Sequence, residues 1–171
     1  MIASSPAVEP LVAHLQQLLD EEIGLLQAKQ SQMESLSGAI LGRDDTAMEA
    51  TMAQMETTAR QQSAVESRLS ALRVTIAGEL GLGGGPLRLS TLISHLPPQQ
   101  ASLLEYRRNQ IVALAEQIRR RHVEVAILLR ECARINRMLL ESLTGGQSVT
   151  TYGADGKDVW HGRGGVLDMR R

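Results

Sequence analysis

Phenylalanine is missing from this 171-residue chain, and one Trp and two Tyr hold the aromatic content to 2 %. A core without rings must be built from Leu, Ile, Val, Met and Ala. Such side chains interdigitate well between helices, and long helical bundles use little else. Cysteine is nearly absent as well. Cys132 stands alone, so no intrachain disulfide can form, which suits a reducing compartment and a cytoplasmic location. No run approaches 18 consecutive apolar residues, so no membrane-spanning segment is expected. The first dozen residues lack a basic region and are broken by Pro6 and Pro10, unlike a signal peptide. A net charge of −1 gives no global attraction to nucleic acid.

Helical periodicity is what the chain does have. Val8, Val12, Leu15, Leu19, Glu22, Leu26, Lys29, Met33, Leu36 and Ile40 alternate in steps of four and three, and eight of the ten are apolar. This is a heptad seam and predicts a first helix over about 8–41. Gly42 suits its C-terminal cap, and Asp44 or Asp45 suits the next N-cap. A second helix, about 46–80, is apolar at its ends, through Met48, Met52 and Met55 and then Val65, Leu69, Leu72, Ile76 and Leu80. Its middle, from Glu56 to Ser63, is almost wholly polar, so loose packing is expected there. The short turn between the two helices implies an antiparallel hairpin.

Gly81 to Pro86, with three consecutive glycines, stops the second helix. Leu89, Leu92, Ile93 and Leu96 share one helical face, predicting a short connecting helix over 88–95 that Pro97-Pro98 ends. A third helix follows over about 98–143. Its seam is Ile111, Leu114, Ile118, Arg121, Val125, Leu128, Cys132, Ile135, Leu139 and Ser142, widened by Ala115, Ala126, Leu129, Ala133, Met138, Leu140 and Leu143. At 1.5 Å per residue this helix is about 70 Å long, against about 50 Å for each hairpin helix. It is therefore expected to outreach them and leave its apolar C-terminal turns partly uncovered. Residues 1–81 carry 11 acids and 5 bases, and residues 98–144 carry 5 acids and 8 bases, so hairpin and third helix attract. The fold class is all-α: a three-helix, coiled-coil-like bundle over 1–144. Residues 145–171, with seven glycines and no helical period, are expected to form a mobile tail.

No catalytic or metal constellation emerges. The residues three before His14, His95, His122 and His161 are Leu11, Leu92, Arg119 and Asp158, so no Glu-x-x-His pair exists for a carboxylate-bridged metal bundle. Neither H-E-x-x-H nor G-x-S-x-G occurs. Cys132 occupies a seam position between Leu128 and Ile135 and reads as a packed thiol rather than a nucleophile. Gly83-Gly84-Gly85 lacks the following Lys-Ser/Thr of a phosphate loop. Arg119-Arg120-Arg121-His122 is the densest basic cluster, but Glu116 and Glu124 flank it and no aromatics interleave, so it reads as a salt-bridged face, not a nucleic-acid site. No cofactor and no metal are expected, and no enzymatic activity. The face from Val125 to Leu143 has two readings. One is bundle core. The other is a sticky groove for an amphipathic partner helix, for which an adaptable Met138 is well suited.

Four stretches together carry a family resemblance: Ile40-Leu41-Gly42-Arg43-Asp44; Leu69 to Leu82 with Arg73 and Glu79-Leu80-Gly81; Leu89-x-x-Leu92-Ile93-x-x-Leu96-Pro97; and Arg134 to Leu143, which contains Asn136 and is followed by Tyr152-Gly153. In this order they resemble the FlgN family of flagellar export chaperones, over about residues 11–156. The polar middle of the second helix and the lengthened glycine loop depart from the family pattern. The resemblance implies a cytoplasmic chaperone that binds the C-terminal helical segments of hook-associated (hook–filament junction) proteins and delivers them to the flagellar type III export gate. It places client binding on Leu128, Ile135, Asn136, Met138, Leu139, Leu140 and Leu143, and export-gate docking on Tyr152. The rival reading is a structural coiled coil that self-associates, for example as a homodimer, through the same face.

Overall fold

In a computed structural model of the chain, which describes residues 8–82 and 87–143, the first helix, α1 (Val8–Gly42), buries nine of its ten seam positions and half-buries the tenth, Lys29. It is followed by α2 (Asp45–Glu79), α3 (Leu89–His95) and α4 (Pro98–Leu143), with no strand among the described residues. The all-α class expected from the aliphatic composition is the class found. The glycines at 83–85 and the expected tail at 145–171 lie outside the described residues. The chain divides into two units, Met1–Leu129 and Arg130–Arg171.

In the first unit α1 and α2 form the antiparallel hairpin, tied by Arg68 to Glu21 at 2.8 Å, Gln62 to Glu22 at 2.8 Å and Gln32 to Thr58 at 2.8 Å. The turn between them is a Schellman motif. Asp44 N–H donates to the Ala39 carbonyl and Arg43 N–H to the Ile40 carbonyl. The left-handed residue is Arg43, at φ 53°, and not the glycine that was expected to cap; Gly42 ends the helix proper. Asp44 then caps α2, its carboxylate accepting from Ala47 N–H at 2.9 Å. The far end of α2 repeats the motif with the residue best suited to it. Gly81 sits at φ 65°, and Leu82 N–H reaches the Ala77 carbonyl.

α2 contacts its partners through Met48, Thr51, Met55, Thr58, Gln62, Val65, Leu69, Leu72 and Ile76, a strict alternation of three and four. Two readings of α2 are thereby corrected. Met52 lies off this seam and is exposed, while the seam place belongs to buried Thr51. The polar middle is also packed rather than bare: Thr58 and Glu22 are buried, and Gln62 and Gln32 bridge them to the opposite helix.

The main core gathers at the end of the hairpin away from its turn. Val12, Leu15, Leu18, Leu72, Ile76, Leu92 and Leu104 meet there, with the α3 side chains Leu89 and Ile93 packed against them. Pro98 opens α4, where its missing N–H leaves no intrahelical bond unmade. Two arginines set its place. Arg107 pairs with Asp20 and Arg121 with Glu34, each across 87 positions, so α4 runs parallel to α1. On that offset Gly42, the last residue of α1, falls level with Leu129.

Candidate functional site

α4 buries a narrower band than its composition suggests. Leu104, Ile118 and Val125 are buried, with Ile111, Leu114 and Leu128 half-buried between them. The second stripe, expected to widen the buried face, does not do so: Ala115, Ala126 and Leu129 in the first unit are exposed, as are Ala133, Met138, Leu140 and Leu143 in the second. A single heptad seam is all that α4 lays down in the first unit, so the neighbouring apolar positions stay in water.

In the second unit the same helix is apolar and solvated together. Ile135 is 42 % exposed, Met138 54 %, Leu139 50 %, Leu140 55 % and Leu143 82 %, with Asn136 exposed among them. Ile135, Leu139 and Leu143 follow one another at four-residue steps and form one row, with Met138 beside it. Arg134 borders this row. Its Nη1 lies 3.4 Å from the Met138 sulfur while its Nε donates to Glu131 at 2.8 Å. Monomeric proteins seldom leave a run of large aliphatic side chains this open unless it meets a partner. Six of the seven residues expected to bind a client thus lie together in this unit. Leu128 is half-buried in the first unit, and Tyr152 lies outside the described residues. Cys132, expected within a core, is only half-buried.

The basic run at 119–121 is already paired. Arg119 and Arg120 both donate to Glu116, at 3.0 and 3.3 Å, and Arg121 spans Glu124 and Glu34. The paired guanidiniums hold the Glu116 carboxyl below its ordinary range. The basic run is therefore a laced helix surface. An open groove of about 450 Å³ between α1 and α2 is lined by Glu21, Gly24, Leu25, Gln61, Ala64, Val65 and Arg68. Its two charges, Glu21 and Arg68, already pair with each other. Among the described residues no cluster of His, Cys, Asp and Glu is arranged to hold a metal ion, and no helix is long and apolar enough to cross a membrane.

In the first unit a hairpin with a parallel third helix defines an all-helical bundle protein. The chain belongs to the FlgN family: residues 4–159 match the family described as FlgN protein. This is a family of flagellar export chaperones and not of enzymes. Comparison with curated proteins and with solved structures returned no match.

Proposed function

We propose that this protein is a cytoplasmic export chaperone that captures the C-terminal helical segments of hook-associated junction proteins and delivers them to the flagellar type III export gate. The observation that carries this reading is the row Ile135, Leu139 and Leu143 with Met138 beside it, half or more exposed in most members. A client helix laid along it buries apolar area on both partners, worth roughly 25 cal/mol per Å². Ordering a previously disordered client opposes that gain. The balance is a moderate affinity that permits release at the export gate. Asn136 and Leu140 flank the row and join the proposed contact set, and Leu128, in the first unit, is proposed as a client contact in its own right. Tyr152 is the proposed gate-docking residue. The row has no charged member, so client selection rests on apolar shape and on the guanidiniums along its border.

Isothermal titration with peptides from junction-protein C-terminal helices tests the reading. Saturable one-to-one binding is expected, weakened about tenfold or more in Leu139→Ala/Leu143→Ala, since each truncated hot-spot side chain costs 1 kcal/mol or more, roughly. A folded, helical protein that binds none of the peptides at tens of micromolar, roughly, and forms concentration-dependent oligomers instead would make the self-associating coiled coil the better account.

A further inference from the structure

Ile135, Leu139 and Leu143 are one side of a wider apolar surface. Successive α-helical residues are set about 100° apart. On that spacing the positions run round the helix from Ile135 through Leu139, Leu143, Asn136 and Leu140 to Ala133, an arc of about 160°. Met138 extends it by about 60° beyond Ile135. Ser142 and Glu131 stand in that extension, and Glu131 is turned to Arg134 at 2.8 Å. The other charges of the segment, Arg130, Arg134, Arg137 and Glu141, are confined to a sector of about 60°. Every position of the arc named here is exposed, and half-buried Cys132 lies within it.

The width of the arc decides what can cover it. A helix that meets one neighbour needs an apolar stripe of about 100°, and this one carries about twice that. A single client helix seated on Ile135, Met138 and Leu139 leaves Leu140 and Ala133 in water. A second copy of the segment does no better. Two copies related by a two-fold axis bury the same side of each and leave the other side of both bare. Two helices of one partner cover both sides at once and pack against each other, as helices around a shared core do.

We propose that the end of α4 receives a pair of helices from a single client chain. One helix rests on Ile135, Met138 and Leu139, the other on Ala133 and Leu140, and Leu143 and Asn136 lie between them within reach of both. The proposal rests on the client reading above and names the form in which the client is held. A lone amphipathic helix gains only half of this surface, so the arrangement favours a partner that brings two.

Isothermal titration of the full-length protein with two probes tests it: a whole hook-associated junction protein, and a peptide of its C-terminal helix alone. Leu139→Gln and Leu140→Gln change one side each. Both residues are exposed, so helicity and melting temperature should hold. Leu139→Gln is expected to weaken both probes about tenfold. Leu140→Gln should weaken the whole junction protein about tenfold and leave the single-helix peptide unchanged. Unchanged binding of the junction protein to Leu140→Gln overturns the pair, because one helix then suffices. An equal loss for both probes overturns it too, since a lone helix would then lie across both sides. If both probes bind and Leu140→Gln moves neither, the pair falls alone and the client reading stands; if neither probe binds the native chain, both fall together. A native mass that rises with concentration in sedimentation, and does not in Leu140→Gln, assigns the second side to further copies of the chain and also overturns the proposal.

Discussion

Arg107 grips Asp20 with both arms of its guanidinium, Nε to Oδ1 at 2.8 Å and Nη2 to Oδ2 at 2.9 Å. The two residues stand 87 positions apart, and the arginine side chain is only 19 % exposed. A two-pronged pair fixes direction as well as distance, which an ammonium group does not. Its place near the start of α4 lets it align the whole parallel stretch with α1. Arg107→Lys is expected to lose about 1 kcal/mol of stability, and a double-mutant cycle with Asp20→Ala to show coupling of similar size, about 1 kcal/mol. Urea melts of the four proteins measure it; additive losses would reduce the pair to ornament.

Glu22 is buried between α1 and α2, with one carboxylate oxygen bonded to Gln62 and the other lacking any partner. Burial pushes its pKa above the usual 4.5, the Gln62 bond and Lys29 pull it down, and Glu66 adds to the rise. A carboxyl whose folded value exceeds its unfolded value binds the extra proton in the folded state. Its cost to stability is therefore absent below about pH 4.5 and grows as pH rises through the folded value. Glu22→Gln should be more stable than the native protein at pH 7, by on the order of 1 kcal/mol, and the difference should shrink at pH 4. A glutamine variant that melts lower at pH 7 would mean that the Gln62 bond outweighs burial.

Arg43 and Gly81 occupy the same left-handed place at the ends of α1 and α2, at φ 53° and 65°. The exchange should act in opposite directions. Arg43→Gly relieves a Cβ conflict and is expected to stabilise by up to about 1 kcal/mol; Gly81→Ala creates one and should cost about 1 kcal/mol. Space is open around Gly81, so the cost is one of backbone alone. Thermal melts resolve both, at roughly 2–4 °C per kcal/mol for a chain of this size.

Leu104 and Leu139 lie on the same helix, one wholly buried and the other 50 % exposed. Leu104→Ala is expected to cost about 2–5 kcal/mol. Leu139→Ala should stay within about 0.5 kcal/mol. Equal losses at the two sites would place Leu139 in a core and remove the basis for a docking face.

How much of this was legible in advance follows from what each residue says about its surroundings. The α1 seam was plain, because nine of its ten positions are buried and eight are apolar. The α2 seam was half hidden. Thr51, Thr58 and Gln62 hold seam places that hydropathy assigns to solvent, and Met52 advertised a burial it does not have. Gln32 and Glu22 reach Thr58 and Gln62 from the opposite helix, a relation no single helix records, while the Thr51 hydroxyl turns back to the Ala47 carbonyl of its own. The apolar positions of α4 were legible, but not which were covered. Leu129 and Val125 look alike in sequence, and only the register with α1 separates them. The paired arginines were foreseeable from spacing, since Glu116 and Arg120 are one turn apart.

The polar seam of α2 also answers a problem of addressing. A chain of heptads can be zipped together at several offsets, each seven residues from the next and each burying aliphatic side chains about equally well. In this hairpin the donor amides of Gln62 and Gln32 have one destination apiece, Glu22 and Thr58. A slip of one heptad sets Gln62 against Leu15 or Lys29 and Gln32 against Thr51 or Val65, so neither direction remakes both amide bonds, and Glu22 loses the Gln62 bond it has. The sparse, imperfect middle of the bundle is thus its postal code: it contributes little to holding the helices together and much to deciding where along each other they stop.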